Sequence, residues 1–291
     1  MTAVLETPAL RTGHDAVPLT RLLAAELRWI FRRPRTVAVL ALLALIPVVI
    51  GIGLTFVSAS DAQEGPDQGA GALLGSAVNN AFILPVAALV MTLALLLPLA
   101  AAMAGADAVA GEAAHGTLRG WLVAPVGRGR LLAVKAFGVA TVSTVAVLAM
   151  CLTGVVTGLF INGTDSLFTL SGTTLTLGGA LARILLVAGW TILQLWAVGA
   201  VALAISSWTE HPMLVVATVL AGDIVFTILG FLSSLKWLHP FLLTQNWQLA
   251  PAEVLQDPIG TQLLGEGALR AASYIVIGLS LAYARLSTRD G

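Results

Sequence analysis

VAVLALLALIPVVIGIGLTFV, residues Val37 to Val57, contains no charged side chain. As a helix rising 1.5 Å per residue it would span about 30 Å, the thickness of the hydrocarbon layer of a bilayer. Lipid offers no hydrogen bonds to the backbone, so a run of this kind must satisfy its N–H and C=O groups internally. The strands of a membrane barrel alternate in polarity over about ten residues, and this run does not, so a helix is expected. Five further apolar runs extend outward from it, at Ala81 to Ala106, Leu131 to Phe160, Leu181 to Ser206, Met213 to Leu232 and Gly267 to Arg285. The expected fold is all-α, a polytopic membrane protein with six transmembrane helices.

Composition agrees with this reading. The chain is 58% hydrophobic and 10% charged, with a mean hydropathy of +0.94, where soluble domains carry about a quarter charged residues. Formal net charge is zero, so only the placement of charge is informative, and no nucleic-acid partner is expected. The single cysteine, Cys151, excludes an internal disulfide or a Cys-rich metal site. Residues 1–18 are polar and lack the apolar core of a cleavable signal, so the first span is expected to act as a retained insertion signal.

Lysine and arginine set the orientation. With the N-terminus in the cytoplasm, twelve of the fifteen cationic residues fall inside, and only Arg183, Lys236 and Arg270 lie near the outer side. Asp61, Glu64, Asp67, Asp165, Glu253, Asp257 and Glu266 fall in outer loops. Both termini are therefore expected to be cytoplasmic, in the inner (plasma) membrane.

The chain divides into a polar tail (1–18), a helix (19–35) and a membrane domain (36–291). In the helix, Leu19, Leu22, Leu23, Leu27, Ile30 and Phe31 recur at helical spacing, while Arg21, Arg28, Arg32 and Arg35 occupy other faces. This reads as an amphipathic helix lying in the inner interface, with Trp29 at headgroup depth and Arg28, Arg32 and Arg33 beside it. A generic basic flank that sets topology is the plainer alternative. Between Ser233 and Glu266 the connection is long and aromatic, fitting either a re-entrant segment or a surface aromatic belt.

No catalytic or metal site is expected. No phosphate-binding GxxxxGK[ST] occurs, HExxH and GxSxG are absent, and His14, His115, His211 and His239 are scattered. Two polar residues stand inside spans, Gln194 and Asp223. A carboxylate at mid-bilayer costs about 2.5–3.5 kcal/mol on insertion scales. Asp223 therefore faces a cavity or relay, or forms a hydrogen bond at a helix interface.

The most polar interruption is GADAVAGEAAHGTLRGWLVAPVGRGRLLAVK, Gly105 to Lys135. It is read as a cytoplasmic loop over 107–130, in which Glu112, Arg119, Arg128 and Arg130 supply charge and Leu118, Trp121 and Leu122 supply apolar anchors. Gly111 and Gly116 permit sharp turns. Together with the basic helix LTRLLAAELRWIFRRPRT, the pattern Gly111-Glu112, Gly116-Thr117-Leu118, Pro125-Val126, Arg128 and Lys135 resembles the permease subunits of ABC-2 type transporters. The resemblance extends from Leu19 to the C-terminus. It implies a dimer, homomeric or with a related permease, above two copies of a separate ABC ATPase subunit that holds ATP and Mg, this chain itself carrying no cofactor. It also implies a coupling helix that includes Glu112, Gly116, Thr117, Leu118, Arg119 and Trp121. Short outer loops and a Thr-rich apolar interior favour export of a small lipophilic or amphipathic substrate. The alternative is a secondary transporter that uses Asp223 and an ion gradient.

Overall fold

The computed structural model describes residues 18–56, 70–78, 80–114, 116, 127–163 and 167–288. Helix α1 (Leu19–Arg32) is followed by a single extended residue, Arg33, and by α2 (Pro34–Leu54). Pro34 starts α2, where its missing N–H would have had no partner in any case. A short α3 (Ala70–Ala77) leads to α4 (Ile83–Leu93) and α5 (Leu96–Ala106). Then come the long helices α6 (Arg128–Asn162), α7 (Leu177–Trp208) and α8 (Pro212–Phe231). A six-residue α9 (Leu249–Val254) precedes α10 (Gln262–Thr288). Among the described residues six helical segments are long and apolar enough to cross a membrane: α2, Leu96–Ala114, α6, α7, α8 and α10. The protein is an all-α multi-pass membrane protein.

The second apolar run is not one helix. It breaks at Ala94 and Leu95, where Leu95 leaves helical geometry (φ −154°, ψ −48°). Pro98 explains the position, since its ring collides with the carbonyl four residues earlier, that of Ala94, and it offers no N–H to that group. The lower half then continues past Ala106. Asp107–Gly111 form a π-helical turn and Glu112–Ala114 a last helical turn, so the segment read as loop from Asp107 is helical as far as Ala114. Gly116 closes it with φ +71°, a left-handed conformation that glycine adopts without strain.

The start of α2 and the end of α10 lie on the same side of the bundle, beside Asp107 and the start of α6 respectively. That near end also carries the end of the α5 extension, the start of α6 and the α7–α8 turn, and the far end carries 167–176 and 233–261. The centre is formed by α7 and the Leu96–Ala114 segment, the two most buried spans, while α8 lies at the periphery. Helix α7 packs chiefly on α10 and α5. The outer face of α2 repeats Leu42, Leu45, Val49 and Ile52, all exposed, while Leu40, Leu43, Pro47 and Gly51 face the core. In lipid such an apolar outer face is at home, and helix contacts are set by shape rather than by hydrophobic expulsion. Gly158 shows how close they become, because a Cβ there would stand 2.5 Å from the carbonyl oxygen of Ala81.

Candidate functional site

At the near end three charged side chains are buried together. Lys135, in the second turn of α6, is 2% exposed, Glu26 of α1 5% and Glu112 4%. The Lys135 ammonium donates to both Glu26 carboxylate oxygens, at 3.0 and 3.1 Å, and to Oε1 of Glu112. Removing charges from water costs several kcal/mol per ion, so such a group persists only when its members satisfy one another. One cation thus fastens three chain segments: the amphipathic helix, the extension of α5 and the start of α6.

Aromatic and guanidinium groups close the cluster from the side. The Arg33 guanidinium stacks 3.2 Å from the Trp29 ring centroid, and the Lys135 ammonium lies 5.2 Å from the same ring. Arg33 and Arg35 both reach Asp107, at 3.6 and 3.7 Å. Burial lowers the Arg33 pKa from its usual value, and the neighbouring carboxylates Asp107, Glu112 and Glu26 oppose that shift. Glycine at 138 allows α1 to approach, since a Cβ there would meet Ile30 Cδ1 at 2.8 Å and Glu26 Cγ at 3.3 Å.

The π turn determines where Glu112 points. The Ser206 hydroxyl of α7 accepts a hydrogen bond from the Ala110 N–H (2.8 Å) and donates to the Ala106 carbonyl (3.2 Å). Those two groups would bond each other in a regular α-helix, and the serine is wedged between them. The ladder takes in one extra residue, and everything after it, Glu112 included, is turned by about 100°.

Several expectations from sequence change place. Glu112 is buried against Lys135 and does not stand on the surface as a docking charge. Arg128 caps the end of α10, donating to the carbonyls of Leu286 (3.1 Å) and Ser287, which suits a cation at a helix C-terminus. Arg28 and Arg32 are exposed, and Trp29 is 37% exposed. Gly116 is exposed at the turn, whereas His115, Thr117, Leu118, Arg119 and Trp121 lie outside the described residues. Sequence reasoning missed Glu26 and its pairing with Lys135. The signal was present: Glu26 is an acid on the apolar stripe, between Leu22, Leu23 and Ile30.

At the far end, 233–261 is irregular backbone, with short 3₁₀ turns at Ser233–Leu235 and His239–Phe241 before α9. It is pinned by side chains of the spanning helices. Arg270 donates to the carbonyls of Pro240 (2.9 Å) and Gln245 (3.0 Å), and Tyr274 to that of Phe241 (2.7 Å). Arg183 reaches the carbonyls of Val254 and Gln256, at 3.0 and 2.6 Å, and Trp190 reaches Leu264 (3.1 Å). The Trp247 indole donates to Gln194 Oε1 at 3.2 Å, about 25 Å down α7 from its far-end start. Trp247 is 5% exposed and Leu242 and Leu243 are buried with it, whereas Trp237 and Phe241 are exposed, so the segment has a buried part around 242–247 and an exposed aromatic part before it. Gln194 is thereby a docking point for Trp247, and Arg183 and Arg270 are committed to backbone carbonyls.

Asp223 of α8 is 8% exposed and borders a cavity of about 250 Å³ between α7, α8, α10 and residues 243–244. Among the described residues nothing donates a hydrogen bond to its carboxylate. No curated protein matches the sequence. The family model described as ABC-2 family transporter protein matches residues 21–290, a stretch that includes the Glu26–Lys135–Glu112 cluster, all six spans and the pinned far-end segment. The chain belongs to the ABC-2 transporter family, as a membrane-spanning component of an ABC transporter.

Proposed function

We propose that this chain forms the membrane pathway of an ATP-driven exporter of small lipophilic or amphipathic molecules, with the near end receiving the force from a separate ATPase subunit. The supporting observation is the buried Glu26–Lys135–Glu112 group. In sequence, residues 115–126 follow Glu112 by three positions and end nine before Lys135, so a push on that segment would be delivered to both ends of the ion group. Through Glu26 the same push reaches α1, and through the stacked Arg33 the start of α2. A force on one loop becomes a joint displacement of three helices.

On this reading ATP and Mg bind in the partner and this chain holds neither. The ATPase seats on the 115–126 segment and α1, both termini are cytoplasmic in the inner membrane, and two permeases, identical or related, pair above two ATPases. The deciding experiment deletes Gly116 to Leu118 and reconstitutes the variant with the ATPase subunit. Expected is loss of ATP-dependent efflux with membrane insertion and helical content unchanged. Efflux at the wild-type rate would overturn the coupling assignment.

A further inference from the structure

Asp223 has the surroundings of a ligand group. Its cavity is walled chiefly by Val198, Ile205, Val219, Leu243, Phe226 and Tyr274, with Thr218 and Thr244 at its edge, and among the described residues the carboxylate is its one acidic side chain. The cations that could neutralise it are occupied, Arg270 by the carbonyls of Pro240 and Gln245 and Arg183 by those of Val254 and Gln256. Three of the neighbouring hydroxyls are turned elsewhere too. Tyr274 donates to Phe241, Thr218 to the carbonyl of Leu214 and Thr227 to the backbone oxygen of Asp223. A carboxylate held in an apolar wall attracts a cation more strongly than it would in water, because the low dielectric magnifies the interaction.

We infer that the cavity beside Asp223 is a binding site for a lipophilic organic monocation, whose charge pairs with the carboxylate and whose apolar body lies against the aromatic and aliphatic wall. This deepens the exporter reading and rests on it, naming the substrate class. Phe226 and Tyr274 both line the cavity and stand edge to face with ring centroids 6.4 Å apart, so its wall holds aromatic surface of the kind that attracts a cation. The volume of about 250 Å³ is close to the lower end, about 300 Å³, of ordinary small-molecule sites. A metal ion fits poorly, since Ca²⁺ takes six to eight oxygen ligands and Mg²⁺ an octahedral set, and this wall offers one carboxylate and the hydroxyls of Thr218, Thr244 and Tyr274 in an otherwise apolar lining. An anion is repelled by Asp223.

The test is equilibrium binding of tetraphenylphosphonium to the purified full chain in nanodiscs, with tetraphenylborate as the anion of matching shape. Expected is saturable binding of the cation and none of the anion. Asp223→Asn, which keeps the side-chain volume, should weaken cation binding by about tenfold or more, and Asp223→Glu should restore most of it. Equal binding of both ions, or Asn and Asp binding alike, would overturn the site. No ATPase enters the measurement, so its failure is separable from failure of the exporter reading. Accumulation of the cation by vesicles holding this chain alone under an imposed ion gradient would instead keep the site and reject the ATP-driven reading.

Discussion

The two ends of the bundle are held by different chemistry. At the near end, side-chain charges bind side-chain charges, with Lys135 between Glu26 and Glu112. At the far end, side chains of the spans bind mostly backbone carbonyls, through Arg183, Trp190, Arg270 and Tyr274, beside the Arg183–Asp257 ion pair and the Trp247–Gln194 bond. The far end must be built this way, because irregular backbone at membrane depth survives only when its polar groups are satisfied by protein. Each carbonyl is fixed to one place in the chain, so the far-end segment behaves as a fitted plug. The near-end group lies on three elements joined through side-chain charges, Glu26, Glu112 and Lys135.

Removing the central cation is the strongest way to break this contrast. Lys135→Met leaves two buried carboxylates facing each other, and a buried pair broken on one side costs about 3–5 kcal/mol. Reversible unfolding in detergent should report that loss, and Glu26→Gln in the same background should recover part of it. Stability equal to wild type would show that the cluster does not hold the near end together. A smaller effect is expected from Arg270→Met, which removes two charge-assisted hydrogen bonds, worth about 1.5–3 kcal/mol each at most. Hydrogen exchange should rise at 240–247 and stay unchanged at 19–32. Rising exchange at both ends would mean that the bundle responds as one body and that the contrast is false.

The fold was legible because its main determinant is local: a run of about twenty apolar residues has one solution in lipid. Boundaries were less legible where hydropathy and helix formation disagree. Arg128 and Arg130 ended the apolar run at Leu131, yet the helix begins at Arg128 and carries Lys135 inward as its eighth residue. The break at Ala94 and Leu95 was written in Pro98, but a hydropathy window averages over it. The site was harder, because its pairs are distant in sequence. Lys135 meets Glu26 across 109 positions and Trp247 meets Gln194 across 53, and no spacing rule links them. Glu112 reads from sequence as an exposed charge, since a carboxylate after an Ala-rich run gives no sign of burial until its partner Lys135 is known.

Ser206→Ala should have the smallest effect on stability and still separate the two ends. Without the hydroxyl, the Ala110 N–H and the Ala106 carbonyl can close the α-helical bond that the serine now interrupts. One hydrogen-bond arrangement replaces another, so the net change should stay within about 1 kcal/mol. The π turn would relax to α, and Glu112 would swing by about 100° away from Lys135. A double-mutant cycle between Glu112 and Lys135 is therefore expected to give a clear coupling energy in wild type and a value near zero in the Ser206→Ala background. ATP-dependent efflux should fall in that variant while the far-end exchange pattern stays as in wild type. Persistence of the full coupling energy would mean that Glu112 is held by Lys135 itself and that the serine wedge only accommodates it. The near end would then be a charge clamp that bends its helix, where the present geometry describes a bent helix that aims its charge.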